Sequence, residues 1–234
     1  MQNSDNQKYS GLKELLNIEL MKNYNNAIVE ECIKYQPNID TIVDYGAGIG
    51  TLSVIFRDKY NKSPLCIEID SLNIKYLKKR NFRFFQNFEE IVEPIDLIFS
   101  SNVLEHIQND LEILKIMRMK LKDNGKLFLY VPANMILWTK LDDIVGHYRR
   151  YDKDSLRKIC KNAGFKVEKI YYADSLGFFI TIMWKLFKKF SNKSLPSNSA
   201  LIFYDKFVFP ISRFLDKLGL KYFIGKNILV KATK

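Results

Sequence analysis

The chain has 234 residues, 47% of them hydrophobic, with ten glycines and six prolines, so it can bury one full core and is neither fibrous nor disordered. Its formal net charge of +11 points to an anionic partner, whether nucleic acid, an acidic substrate or a lipid head-group surface. Cys32, Cys66 and Cys160 are widely spaced and form no CxxC pair, which excludes a disulfide framework and reads as reduced, packed thiols of a cytoplasmic protein. In chain order, residues 12–35 read as helical, with Ile28, Val29 and Ile33 at helical spacing. Residues 41–45 make a short buried strand stopped by glycines. A second strand at 64–69 is followed by a helix at 71–80, and a short third strand lies at 82–85. The fourth strand is 95–100, with a helix at 109–121 after it. Residues 125–131 make the fifth strand, and a helix at 154–163 is ended by Gly164. Residues 165–172 and 227–233 complete seven strands. This alternation predicts an α/β fold, a mostly parallel sheet covered by helices on both faces.

One domain over 1–234 is expected: a helical extension at 1–36, a core at 37–175, a basic aromatic helical cap at 176–225 and a last strand at 226–234. The opening residues 1–6 lack the basic start and apolar run of a signal peptide. No stretch approaches the roughly 18 apolar residues that span a bilayer. From residue 180 onward, eleven lysines or arginines face two acids, Asp205 and Asp216, so this segment carries +9 of the chain's charge.

The chemistry concentrates at Asp44-Tyr-Gly-Ala-Gly-Ile-Gly50. A strand that ends in a carboxylate and turns through Gly46, Gly48 and Gly50 lets a ligand approach the backbone with no Cβ in the way. A dinucleotide turn would carry G-x-G-x-x-G, and here Thr51 stands where that pattern has its third glycine. Asp44 also suits a cationic ligand better than a pyrophosphate. Glu68, 22 residues beyond Gly46 at the end of the next strand, can accept both hydroxyls of a ribose. Asp70 reads as the N-cap of the helix that follows. The fourth strand closes on Ser100-Ser-Asn-Val-Leu-Glu-His-Ile107.

With these three elements the chain resembles the class I S-adenosylmethionine-dependent methyltransferases, a Rossmann-like seven-stranded fold, and within them the ubiquinone-type O-methyltransferases. The resemblance implies S-adenosyl-L-methionine as cofactor. It places the cofactor contacts on Asp44, Tyr45, Gly46, Ala47, Gly48 and Gly50, on Glu68 and Ile69, on Asn87 and Phe88 for the adenine, and on Ser101, Asn102 and Val103. A narrower resemblance rests on Asn23-Tyr-Asn25, on Leu141-Asp142 with Gly146-His-Tyr-Arg-Arg-Tyr151, and on the ending Gly225-Lys-Asn-Ile-Leu-Val-Lys-Ala. This combination is similar to that of a bacterial subgroup often encoded near polyprenyl-linked glycosyltransferases. The lysine-rich 180–221 segment departs from that subgroup.

On this reading His106 lies beside the expected point of methyl transfer, and His147 lies in a loop over the acceptor mouth. Both are candidate catalytic residues, because a base poised near neutrality suits removal of a hydroxyl proton. The alternative is transfer by proximity alone, with nucleophile, methyl carbon and sulfur aligned. Glu105 either caps or pairs at its helix start, or acts directly. Tyr24, Asp142, His147, Arg149, Arg150 and Tyr151 are the expected acceptor contacts, with one arginine paired internally and the other facing substrate. Two histidines and no cysteine cluster lead to the expectation of no metal site.

The expected acceptor is a small molecule, a sugar or a lipid-linked conjugate. The basic aromatic stretch at 178–221 either lies on an anionic membrane surface or packs as a helical cap with solvated lysines. A nucleic-acid methyltransferase is disfavoured, because strand four ends in Ser-Asn-Val-Leu and not in the Asn/Asp-Pro-Pro-aromatic pattern of base amino-group methylation. A non-catalytic membrane-peripheral module with a vestigial cofactor fold and a nicotinamide oxidoreductase are the remaining alternatives.

Overall fold

The computed structural model describes residues 11–187 and 197–234. Lys188, Lys189, Phe190 and Lys193 of the basic stretch, and the opening residues, lie outside the described residues. The strands are β1 (Ile42–Tyr45), β2 (Leu65–Ile67), β3 (Phe84–Phe85), β4 (Ile95–Ser101), β5 (Leu121–Pro132), β6 (Lys166–Ala173) and β7 (Asn227–Thr233). They form a single sheet in the order β3-β2-β1-β4-β5-β7-β6. β1 to β5 are parallel, while β7 runs antiparallel to both of its neighbours. The helices on the core strands are α3 (Thr51–Tyr60), α4 (Ser71–Lys79), α5 (Asp110–Lys120), α6 (Lys140–Val145) and α7 (Lys153–Asn162). The predicted Rossmann-like seven-stranded α/β fold is therefore the observed one.

The strand sequences carry near-continuous apolar runs because both faces of the sheet are covered. Successive residues alternate between two cores, as the twofold period of a strand dictates. Val43, Ile98, Leu127, Leu129 and Val230 pack with Leu114 and Met117 of α5 and Leu156 and Cys160 of α7. Ile42, Leu97, Phe99, Phe128 and Leu229 face the other way, onto α2 (Lys22–Tyr35), Phe56 of α3 and Phe209 of α10 (Phe209–Lys217). All three cysteines are free and buried, in keeping with the expected packed thiols.

The helical pattern at 12–35 resolves into two helices, α1 (Leu12–Glu19) and α2, broken at Leu20 and Met21. The break has a distant cause. Met21 offers no side-chain cap to α2, and its first amides are taken by a carboxylate 182 residues away: Asn23 and Tyr24 donate to Asp205 at 2.9 and 2.8 Å. Asp70 caps α4 as expected, accepting from the Leu72 and Asn73 amides.

Between β6 and β7 the chain inserts α8 (Ser175–Phe187), α9 (Asn198–Phe203), a π-helical turn at Tyr204–Val208 and α10. Their inner faces are pinned by polar contacts. The Leu176 amide donates to Ser212 Oγ at 2.9 Å, the Asp174 amide donates to Asp216 at 2.9 Å, and the Tyr204 hydroxyl donates to Asp174 at 2.6 Å. The outer face is unlike an ordinary helix surface. Phe203, Phe207, Ile211, Phe214, Leu218 and Tyr222 recur every three or four residues and are all exposed, from 55 to 70%. Phe179, Met183, Leu186 and Phe187 do the same on α8. Among the described residues, no helix is long and apolar enough to cross a membrane.

Candidate active site

From β1 the sheet grows to β2 and β3 on one side and, after a long connection, to β4 and β5 on the other. The crevice outside the carboxyl ends of β1 and β4 is therefore the topological switch point, where open α/β sheets bind ligands. The turn after β1 and the Asn102–His106 segment after β4 meet there. Gly46 has φ +74°, and a Cβ on it would collide with the Val103 side chain, so the turn lies against the end of β4 and only glycine fits. Gly48 sits under α1, whose Leu15 lies 3.2 Å from where a Cβ would be.

Two acids frame this turn. Asp44 is 3% exposed and accepts from Ser53 Oγ at 2.6 Å. Burial, with the nearby Glu68 charge adding to it, pushes its carboxyl up to about 7. Glu68 is also buried and holds the turn in place: the Gly48 amide donates to it at 2.7 Å, and the Ile69 and Asp70 amides each donate at 2.8 Å. These three bonds leave about one of a carboxylate's roughly four acceptor positions for a further donor. Ile69, next in sequence, is 78% exposed and gives an apolar platform beside it. Tyr45 and Ala47 are half-buried in the same turn, and Ser101 and Asn102 are half-buried at the end of β4. Asn102 adopts φ +54°, its amide donating to the Tyr130 carbonyl at 2.7 Å.

The two residues expected at the adenine, Asn87 and Phe88, follow β3 directly. Phe88 is buried and stacks on Tyr45, centroids 5.3 Å apart and planes within 5°. The Asn87 side chain accepts from the Glu89 and Glu90 amides and donates to the Glu90 carboxylate. Asn87 is thus the N-cap of the short turn Phe88–Glu90.

The loop at 133–151 docks on the end of β4. The Tyr148 amide donates to the Glu105 carbonyl at 2.8 Å, and the Tyr151 amide donates to the Pro132 carbonyl at 3.0 Å. This brings the two histidines together from 41 residues apart: the His106 and His147 rings meet edge to face, centroids 4.5 Å apart. His147 Nδ1 is 2.8 Å from Asp142 Oδ1, and Arg150 donates to the same carboxylate at 2.8 and 3.1 Å. Although burial works against it, hydrogen bonds from His147 and Arg150 hold the Asp142 carboxyl well below its usual range. His106 is exposed at the surface, and desolvation by the atoms around its ring, with the His147 ring beside it, pushes the imidazole below its ordinary value, to about 4. Glu105 is fully buried, neither of its carboxylate oxygens has a hydrogen-bond partner, and burial pushes it up to about 8.

Several residues expected to meet the acceptor are internal. Tyr24 packs edge-on against Tyr130 and Phe209, and its hydroxyl accepts from Asn227 at 2.8 Å. Tyr151 is 3% exposed and donates to Asp110 at 2.8 Å. Asp142 is 1% exposed and committed to His147 and Arg150. One arginine was expected to pair and one to face outward, yet both pair, Arg149 with Asp110 at 2.5 Å and Arg150 with Asp142. Asp142, Arg149, Arg150 and Tyr151 tie the loop together, Tyr24 belongs to the packing of α2, and His106 and His147 meet where the loop docks on the end of β4. Sequence reasoning missed Lys226, whose ammonium is pushed down by burial against the pull of Asp174, with Arg150 and Asp142 also close enough to act on it. Its position in the ending Gly225-Lys-Asn, next to an asparagine that bonds Tyr24, was the available signal.

A family model described as a methyltransferase domain matches residues 18–170. No curated protein sequence matches the chain. Among solved structures, a SAM-dependent methyltransferase from Archaeoglobus fulgidus superposes with a TM-score of 0.59 at 17% identity, covering 89% of this chain and 92% of that one. A putative methyltransferase of Haloferax volcanii, solved with the Trm112 methyltransferase activator, gives 0.64 at 13% identity over 98% and 99% of the two chains. Phosphoethanolamine N-methyltransferase 2 of Haemonchus contortus, in complex with S-adenosyl-L-methionine, gives 0.56 at 17% identity over 90% of this chain and 52% of that one.

Proposed function

The chain belongs to the methyltransferase-domain family, and from that premise we propose that it uses S-adenosylmethionine to methylate an oxygen of a small-molecule, sugar or lipid-linked acceptor. The observation that carries the reading is the switch-point crevice. A glycine-rich turn, a buried carboxylate at Asp44 and a second at Glu68 converge on it from one side, and a histidine pair follows the segment that closes it on the other. The donor set fits a ligand with an amino group, a sulfonium and a ribose: anionic at the turn, hydrogen-bond accepting at Glu68 and apolar at Ile69. When bound, that cofactor supplies the methyl group and a neutral sulfur leaving group. The chain's own part is to orient and to handle a proton. Asp44 and Glu68 fix the ligand's cationic and ribose ends, and α1 lies over Gly48 to exclude water. The Glu105–His106–His147 cluster binds the acceptor hydroxyl and promotes loss of its proton.

Placement in the polyprenyl-associated subgroup of ubiquinone-type O-methyltransferases is supported by how its three motifs meet. Asn23 and Tyr24 bond Asp205 and Asn227, the Ala133 amide donates to the Lys226 carbonyl, and Ala133 bridges to Tyr151. A lipid-linked acceptor is supported by the exposed apolar stripes. α8, whose outer face is apolar, donates through Lys185 to the Ile136 carbonyl at 2.5 Å, and Met135 and Ile136 are themselves exposed beside the loop that covers the site. A membrane face and the acceptor mouth are thus neighbours. The test is transfer of labelled methyl from S-adenosylmethionine into fractionated extracts of the native host. Base-stable label in the organic phase is the expected result, and label confined to RNA or DNA would refute it.

A further inference from the structure

Lys226 stands where the core, the loop at 133–151 and the insertion meet. β7 runs antiparallel to β5 with Asn227 opposite Pro132, so Lys226 lies at the carboxyl end of β5, the same end of the sheet as the glycine turn. Its backbone is held on both sides. The amide donates to the Asp174 carbonyl at 3.1 Å, and the carbonyl accepts from the Ala133 amide at 2.9 Å. The side chain is half-buried, its ammonium 5.9 Å from the centroid of the Tyr204 ring. Among the described residues, this ammonium makes no ion pair, and the two acids close enough to act on it are engaged elsewhere. Asp142 holds His147 and Arg150, while Asp174 accepts from the Tyr204 hydroxyl at 2.6 Å and the Gly177 amide at 3.2 Å. A sheltered ammonium with three donors unused is costly unless something else takes them. Two more half-buried lysines border this junction, and among the described residues neither meets a carboxylate. Lys153 donates to the Tyr222 carbonyl at 2.7 Å, four residues before Lys226, and Lys185 donates to the Ile136 carbonyl at 2.5 Å, three residues after Ala133.

We propose that Lys226, with Lys153 and Lys185 beside it, binds a phosphate group carried by the acceptor. A lysine acts as a compact point charge with freely turning donors, which suits a tetrahedral, doubly charged phosphate better than a planar carboxylate. The forked donors that would grip a carboxylate are taken, Arg149 by Asp110 and Arg150 by Asp142. That the phosphate belongs to the acceptor rests on the methyltransferase reading, whereas the anion site itself does not. Within that reading Lys226 is a specificity residue and takes no part in the chemistry. β5 alone separates β7 from β4, so the phosphate and the end of β4 lie two strand spacings apart, about 10 Å. A phosphorylated acceptor of about the size of a sugar fits between them, with its hydroxyl towards the histidines.

The test is trace acetylation of the full chain by limiting acetic anhydride, each lysine followed by peptide mass spectrometry, with and without inorganic phosphate at constant ionic strength. A bound phosphate keeps the ammonium protonated. Acetylation of Lys226 should therefore fall at least about tenfold at saturating phosphate, the effect of an opposite charge that raises its pKa by about one unit or more. Lys166, exposed at the far end of β6, should react as before. Formate in place of phosphate should protect little. In calorimetry, Lys226→Met should weaken phosphate binding at least about tenfold, and Lys226→Arg should regain part of it. Unprotected Lys226 would overturn the proposal and leave it as a counter-ion of Asp174; protection by formate as strong as by phosphate would overturn it too. S-adenosylmethionine titrated into the same samples scores the methyltransferase reading separately. Cofactor binding without phosphate protection sinks the phosphate site alone, and protection without cofactor binding sinks the methyltransferase reading alone.

Discussion

Asp44 links stability to binding. Its carboxyl, pushed from an ordinary 3.8 to about 7 by burial, holds a proton in the folded, ligand-free protein that the unfolded chain has already lost. The folded state therefore binds more protons between pH 4 and 7, and Asp44's contribution, complete below pH 4, is lost as pH rises through 7. A cationic cofactor favours the ionised form, so its affinity should rise over the upper part of the same window. Asp44→Asn should melt higher than the wild type at pH 8, bind S-adenosylmethionine weakly and show a smaller pH dependence of both, the remainder of the stability change belonging to groups such as Glu105. Thermal melts and calorimetry at pH 5.5 and 8 check this, and parallel wild-type and variant curves would count against it. At this scale the sequence was legible where a residue's partners are local, as with Asp70 on its own helix. It misled where partners are distant. Arg150, Tyr151 and Asp142 look like acceptor contacts in a string of polar residues, but the fold supplies Asp142, Asp110 and His147 as their partners.

The elements show the same division. Short apolar runs bounded by turn residues located all seven strands, because a strand covered on both faces is apolar almost throughout. It could not locate the break between α1 and α2, because the cap that starts α2 is Asp205, on the far insertion. Asp205→Ala leaves two amides without that acceptor and should cost about 1–3 kcal/mol. Denaturant unfolding followed by circular dichroism measures it, and a loss below about 0.3 kcal/mol would show that water replaces the cap. The stripe along α9 and α10 is the element-scale feature with the clearest functional reading. Six exposed apolar side chains, each worth about 1.5–3 kcal/mol if fully buried, lie beside Lys206 and Lys217 on a strongly basic segment. The full chain should sediment with vesicles containing phosphatidylglycerol and less with phosphatidylcholine alone. Phe207→Glu/Phe214→Glu should abolish that binding while leaving cofactor binding intact. Equal sedimentation of variant and wild type would show that the stripe serves something else.

At the scale of the whole molecule, the order β3-β2-β1-β4-β5-β7-β6 decides where chemistry can occur. It sets the glycine turn and the histidine pair on either side of one crevice and leaves the basic, apolar insertion beside the mouth. The turn and the acid after β2 were readable because backbone geometry restricts which residues can stand there. The cluster of Glu105 with two histidines was not, since it exists only once the loop at 133–151 has folded back.

The central claim is that this crevice binds S-adenosylmethionine. Titration calorimetry of the full chain measures it directly. One site per chain with a dissociation constant on the order of micromolar is predicted, about −8 kcal/mol, with loss of at least about tenfold in Gly46→Val and in Glu68→Gln. No heat of binding from the wild-type chain at millimolar cofactor would contradict the account.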